Sequence, residues 1–373
     1  MEENQQEEKK TNWFLSFLGF GKKKQYKSKT REWVDAIVFA VVAATLIRWM
    51  FLEAFTIPTP SMEKSLLVGD FLFVSKLHYG PRTPATPLQM PLTHQKIWGT
   101  NIPSYLDWIE LPQYRFPGFS SVKRNDVVVF NYPPDYQYPV DLKTNYIKRC
   151  VGVPGDVIEI KDMEVFINGE SAYKPPKMQF KYLITTAETI NDRVFKKYDI
   201  SEKYRVSGGY LIFTTPETAS QLKQESFISS VEVLDAKDGE AELRIFPDAS
   251  KYPWNVDFYG PLRIPGEGET IDINEENLAT YRSIIEYYEG HDNVEISNGV
   301  LKIDGEEYSS YTFKQNYYFM MGDNRHNSED SRFWGFVPHD HVVGKALFIW
   351  MSLDPNESFL SKVRWRRLFN LIN

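Results

Sequence analysis

Three short segments of this chain gather residue types that nucleophilic catalysis needs. The first is Ile57-Pro58-Thr59-Pro60-Ser61-Met62. Its two prolines keep the backbone extended and hold Ser61 in place. By itself, a serine after proline reads as a turn or cap residue. The second is Tyr146-Ile147-Lys148-Arg149-Cys150-Val151-Gly152-Val153-Pro154-Gly155-Asp156. A lysine in such a β-branched run ordinarily lies on the solvated face of a strand. Turned inward, Lys148 would lose hydration, and its pKa would fall from ~10.4 towards neutrality. The neutral amine could then take the proton of a serine hydroxyl, which is a poor nucleophile until a base reaches it. Alternation along the strand puts Arg149 on the opposite face and Cys150 on the face of Lys148, as a small apolar filler. The third segment, residues 322–335 (GDNRHNSEDSRFWG), is dense in short polar groups. It reads chiefly as a hydrogen-bonded loop shaped by Asp–Arg pairs, with Ser328 and Asp330 able to contact the lysine or its support. His339-Asp340-His341 would put two imidazoles on one strand face, but no third ligand is near in sequence, so no metal site is expected.

Short strands must position these groups. The runs at 69–77 (GDFLFVSKL), 126–130 (DVVVF), 146–151 (YIKRCV) and 157–160 (VIEI) are β-branched and aromatic. Residues 165–167 end in Asn168-Gly169, and residues 294–296 and 300–303 flank Asn298-Gly299. Asn-Gly suits a two-residue hairpin loop, because both central residues of a type I′ turn need positive φ. The spacing predicts a last strand pair at 317–321 and 344–351. Thr215-Pro216 opens a predicted short helix to Lys223, and residues 276–289 read as an amphipathic helix with Leu278, Tyr281, Ile285 and Tyr288 on one face. Residues 81–122 are Pro-rich and aromatic and read as a long ordered excursion.

The 373 residues suggest two or three domains, and the composition is globular, 42% hydrophobic and 25% charged. Mean hydropathy is −0.42, which excludes a polytopic membrane protein. Net charge is −7, with residues 1–32 at +3 and the rest at −10. An acidic body argues against nucleic acid as a partner. One cysteine, Cys150, excludes an internal disulfide and a Cys-rich zinc site.

The candidate membrane span is residues 34–52 (VDAIVFAVVAATLIRWMFL), about 28 Å as a helix. Arg48 sits near its outer end, where a long side chain can snorkel to the headgroups, and Trp33 and Trp49 suit the two interfaces. Lys22, Lys23, Lys24, Lys27, Lys29 and Arg31 precede it, so the positive-inside rule keeps the tail cytoplasmic and sends the body outside. No small-x-small cleavage pattern follows the apolar run, so an uncleaved anchor is expected rather than a removed leader. Residues 12–20 (NWFLSFLGF) read either as a surface-lying segment or as a linker.

The three segments, in this order behind an N-terminal anchor, resemble bacterial type I signal peptidases. The likeness includes the Pro-x-x-Ser-Met-like box, YIKRCVGVPGD, GDNRxNSxDSRxWGFVP and VGKALFIWMSLD at 343–354, and covers roughly half the chain. It implies a mainly β fold, with a transmembrane helix, an all-β catalytic core and a large inserted α+β domain. It implies a Ser–Lys dyad working without His, metal or cofactor. Carried over by position, Ser61 is the nucleophile and Lys148 the general base. Thr59 stands where a hydroxyl helps the oxyanion hole, alongside the Ser61 backbone N–H. Ser328 matches a serine that orients the lysine; Asp323, Arg325, Asp330 and Arg332 match structural polar residues, and Tyr146 supports the lysine box. One departure is His326, where the family usually has Asp; another is the divergent inserted block.

The expected organisation is a basic tail (1–32), an anchor (33–54), a β core in two parts (55–170 and 291–353), the inserted block (171–290) and a basic amphipathic tail (354–373). The expected activity is removal of signal peptides from exported preproteins after small residues of the Ala-x-Ala type, at the outer face of the bacterial cytoplasmic membrane. Ser61 lies nine residues past Leu52, within ~30 Å of the span, which suits a cleavage site emerging from the bilayer. The partners are then preprotein signal peptides and the lipid bilayer. The rival is a non-catalytic membrane-anchored β protein that binds export partners. A self-cleaving Ser–Lys repressor relative is excluded by the anchor and the lack of a DNA-binding domain. The inserted block is expected to supply no catalytic side chain, and a change such as Asp257→Ala to leave turnover within about tenfold.

Overall fold

A computed structural model describes residues 28–358 and 361–372. The segment at 12–20 and most of the basic tail, with Lys22, Lys23, Lys24 and Lys27, lie outside the described residues.

The first element is the helix Lys29–Met50, whose 22 residues bury no side chain. It is long and apolar enough to cross a membrane. It stops two residues before the end of the apolar run, and Leu52 already begins a strand. Arg48 does not hang free: its Nε donates to Glu53 at 2.5 Å, and Lys76 holds the other Glu53 oxygen at 2.8 Å. The Trp49 indole N–H donates to the Arg82 carbonyl at 2.7 Å.

From there the chain is mainly β. The central sheet runs Leu52–Thr56, Asp70–Ser75, Val342–Ser352, Val127–Asn131, Asn145–Gly152, Tyr317–Met321, Val337–Pro338, with Asn370–Leu371 added to Val342–Ser352. Antiparallel register sets Val128 opposite Lys148 and Val127 opposite Arg149. One face packs Met62, Leu66, Leu72, Val127 and Val129. Val128, Phe130, Cys150, Tyr318 and Met320 form another cluster. Tyr317–Met321 and Val342–Ser352 are not paired with each other, contrary to the sequence expectation. Tyr317–Met321 pairs with the Lys148 strand, and Val342–Ser352 lies between Asp70–Ser75 and Val127–Asn131. Every strand here is apolar enough for several neighbours, and local sequence does not choose among them.

Both Asn-Gly hairpins form as their chemistry requires. Ile167 pairs with Glu170 and Ser297 with Val300, and Asn168, Gly169, Asn298 and Gly299 all have positive φ. Thr215 caps the helix Pro216–Leu222 and Asn274 caps Glu275–Tyr287. The side chains of 171–290 divide between two cores. Phe180, Ile184, Phe195, Ile212 and Leu222 make a separate cluster. Leu278, Tyr281, Ile284 and Ile285 pack with Tyr317, Phe319 and Phe336 instead.

The basic C-terminal segment is no helix of any length. It makes a 3-10 turn, Trp365–Arg367, and then the short strand. Arg367 is drawn onto the buried Asp70 at 2.5 Å, and Arg364 onto Asp354 at 3.2 Å.

Candidate active site

Ser61 stands in the single 3-10 turn Pro60–Met62, entered from extended Thr59. Pro60 suits the first position of such a turn because its missing N–H would have no partner there. Met62 anchors the turn, fully buried against the sheet. The adjoining carbonyls are held by the polar loop: Asn324 N–H donates to Ser61 O at 3.1 Å, and Asn324 Nδ2 donates to Pro60 O at 3.2 Å.

Lys148 comes from the middle of the sheet and points inward, 4% exposed. Its Nζ lies 2.8 Å from Ser61 Oγ and 3.2 Å from the Ile147 carbonyl. Burial pushes the amine down to about 8; Asp330 and Glu329 oppose that shift without cancelling it. The Tyr146 ring lies 5.3 Å from Nζ and is itself stacked on Tyr132, centroids 4.3 Å apart. This ring removes water from the amine, which favours the neutral form, while its face favours the ammonium. Cys150 is fully buried and free, its thiol pushed up by burial, so it is packing and not chemistry.

The polar loop wraps this pair. Arg149 crosses to the other side of its strand and grips Asp323 with both Nε (2.8 Å) and Nη2 (2.7 Å). Asp323 also accepts from Ser65 Oγ at 2.6 Å, so one carboxylate ties the Lys148 strand to the segment following Ser61. Asp330 caps the turn Ser331–Trp334, accepts from Gly322 N–H at 3.1 Å, and pairs with Arg332 at 2.8 Å. Those partners hold its carboxyl below the usual range despite complete burial. Ser328 is buried; its Oγ makes no hydrogen bond of ordinary geometry, though it lies near enough to Asp330 to favour the ionised acid. Arg325 is buried with Nη1 resting 3.8 Å from Met321 Sδ, and burial with its arginine neighbours pushes it down to about 10. Thr59 caps nothing with its side chain and stays exposed beside Ser61.

His326 cannot act as a base towards Ser61. Its Nδ1 accepts from the Lys181 N–H at 3.1 Å, and its Nε2 lies 2.7 Å from Asp257 Oδ1, so both ring nitrogens are committed. His339 and His341 face different partners: His339 meets the Tyr318 hydroxyl at 3.0 Å, and His341 meets Lys143 Nζ at 3.1 Å.

The sequence reading missed the groups by which residues 171–290 reach this loop. Gln179 exchanges backbone hydrogen bonds with Asp323 and Arg325, both at 2.9 Å. Glu202 accepts from Asn327, and Val256 O accepts from Arg332 at 3.2 Å. No local pattern marks these residues, because each contact joins segments that are far apart in sequence.

A buried lysine amine hydrogen-bonded to a serine hydroxyl is an arrangement for amine-assisted acyl transfer. A family model described as signal peptidase, peptidase S26, matches residues 30–214 and 263–351. A signal peptidase I of Buchnera aphidicola subsp. Acyrthosiphon pisum is 28% identical over 319 residues, 85% of this chain and 74% of the relative. A signal peptidase I of Pseudomonas fluorescens is 28% identical over 326 residues, covering 84% and 70%. One of Helicobacter pylori strain J99 is 27% identical over 362 residues, 91% of both chains. With most of its length matched and a serine–lysine pair at its centre, the chain belongs to the signal peptidase family, peptidase S26.

Proposed function

We propose that this chain is a serine endopeptidase that removes signal peptides from exported preproteins, with Ser61 as nucleophile and Lys148 as general base. The observation that carries the roles is the 2.8 Å contact between Lys148 Nζ and Ser61 Oγ, made where the amine is held near 8. The neutral amine takes the Ser61 proton as Oγ attacks the scissile carbonyl carbon. The carbonyl π pair moves to oxygen, and the Ser61 N–H and Thr59 Oγ1 donate to that oxyanion. Collapse expels the amine of the mature protein, which takes the proton from the Lys148 ammonium. Water then attacks the acyl-enzyme, Lys148 again receiving the proton, and Ser61 is regenerated. Tyr146 packs against the lysine and the Asp330 carboxylate acts on it through its charge; Asp323, Arg325 and Arg332 shape the loop that carries Ser328.

The substrate is an extended segment with small residues before the cut, of the Ala-x-Ala type. The helix Lys29–Met50 anchors the enzyme in the bacterial cytoplasmic membrane, with the tail cytoplasmic and the body outside. Cleavage of a purified preprotein by wild type, Ser61→Ala and Lys148→Ala tests the roles. Near-complete loss in both variants is expected; an active Ser61→Ala protein refutes the assignment.

A further inference from the structure

The loop around the dyad and the strand it packs on carry an uneven set of buried charges. Arg149, Arg325 and Arg332 supply three cations, while Asp323 and Asp330 supply two anions, all five nine-tenths buried or more. A buried cation without a counter-charge is expensive. The inserted block supplies further carboxylates: Asp257 and Glu242 both act on Arg332, and Asp257, 1% exposed, also touches the loop at His326. This placement gives Asp257 a route to the catalytic loop, which the expectation of indifference to turnover did not consider.

Asp257 is pinned from several sides. Its Oδ2 accepts from Ala236 N–H at 2.8 Å, its backbone N–H donates to Asn255 Oδ1 at 3.0 Å, and its carbonyl accepts from Met163 N–H at 3.1 Å. Opposite it, His326 has a defined tautomer. Nδ1 accepts from Lys181 N–H, so Nε2 carries the proton and donates to Asp257. The Phe180 ring closes over the imidazole edge-on at 5.3 Å. His326 stands two residues after Asn324, which holds the Ser61 and Pro60 carbonyls, and two before Ser328. The loop is therefore held at Asn324 by the nucleophile segment and at His326 by the inserted block.

We propose that Asp257 and His326 are a positioning pair for the reaction, through which the inserted block holds the loop carrying Ser328 and Asp330 in register with Lys148. This rests on the Ser61–Lys148 reading. A misplacement of ~1 Å near reacting groups costs on the order of 100-fold in rate. Asp257→Ala and His326→Ala should each lower kcat by about that factor, with KM within about twofold. The double variant should be no worse than the poorer single one, because the two side chains act as one unit. His326→Gln reaches the Nε2 position with an N–H donor, whereas His326→Glu sets a second carboxylate against Asp257. Gln should therefore exceed Glu in kcat by about tenfold or more. That comparison decides the matter even if Asp257→Ala fails to fold. Equal activity of the Gln and Glu variants, additive single effects, or a folded Asp257→Ala enzyme within tenfold of wild type overturns the pair. Ser61→Ala, run beside them, separates the readings: if it stays active the dyad is wrong, whereas a dead Ser61→Ala beside an active Asp257→Ala refutes the pair alone.

Discussion

On the proposed mechanism Lys148 is a cation in the unfolded chain and a neutral amine in the working enzyme. Its hydrocarbon stem and its position in mid-strand bring it inside, and burial does the rest, lowering the pKa to about 8. The sign follows directly. Below that value the amine is protonated and cannot accept from Ser61; above it the base is free. kcat/KM should therefore rise with pH to half its plateau near pH 8 and stay high in the alkaline range, and a rate profile measures this. A profile centred near the ordinary lysine value would contradict an inward, desolvated amine. Lys148→Arg should not restore activity, since guanidinium keeps its proton. Gly322 is constrained at the same scale. A Cβ there would overlap Ser328 Oγ and Cβ and the Ser61 carbonyl oxygen. Gly322→Ala should cost about 1–3 kcal/mol of stability by overpacking. It should also lower kcat by on the order of 100-fold by displacing Ser61. Denaturant unfolding and steady-state kinetics read the two effects separately.

Among elements, the decisive joints are ion pairs that link segments distant in sequence. Asp323 on the polar loop receives Arg149 from the Lys148 strand, both side chains at most 4% exposed. Asp323→Ala would take from Arg149 the carboxylate that both Nε and Nη2 grip, and breaking one side of a buried pair costs about 3–5 kcal/mol. The variant should unfold at clearly lower urea than wild type; a loss under about 1 kcal/mol would mean that Arg149 finds other compensation. The same joints explain what the sequence disclosed. The Asn-Gly hairpins and the capped helices were legible because their chemistry is complete within four or five residues. Ser61, Lys148 and the polar loop were legible as three contiguous boxes. Asp257 was not, since its partner His326 is 69 positions away and an isolated Asp-Phe carries no signal. The C-terminal segment reads only as basic and amphipathic; Asp70 and Asp354 take Arg367 and Arg364, and the segment folds as a 3-10 turn and a sheet-edge strand.

The proposed function requires the catalytic body to lie on the side of the membrane where cleavage sites emerge. The sequence supplies the orientation signal in Lys22, Lys23, Lys24, Lys27, Lys29 and Arg31, all before the apolar run at 34–52. The twenty residues after Leu52 contain one cation, Lys64, so they offer no competing basic flank. The proposed translocation of the body rests on that asymmetry and not on the fold. Protease added to the outer face of spheroplasts should digest residues beyond 55 and spare the tail, and inverted vesicles should show the reverse. Exchanging the four lysines at 22, 23, 24 and 27 for glutamine would leave Lys29 and Arg31 as the only cations from position 22 to the apolar run at 34–52. The fraction of chains with an exported body should then fall, with preprotein cleavage falling in proportion. A protected body in intact spheroplasts of the wild type would place Ser61 on the wrong side of the bilayer for emerging signal-peptide junctions, whatever the geometry of its dyad.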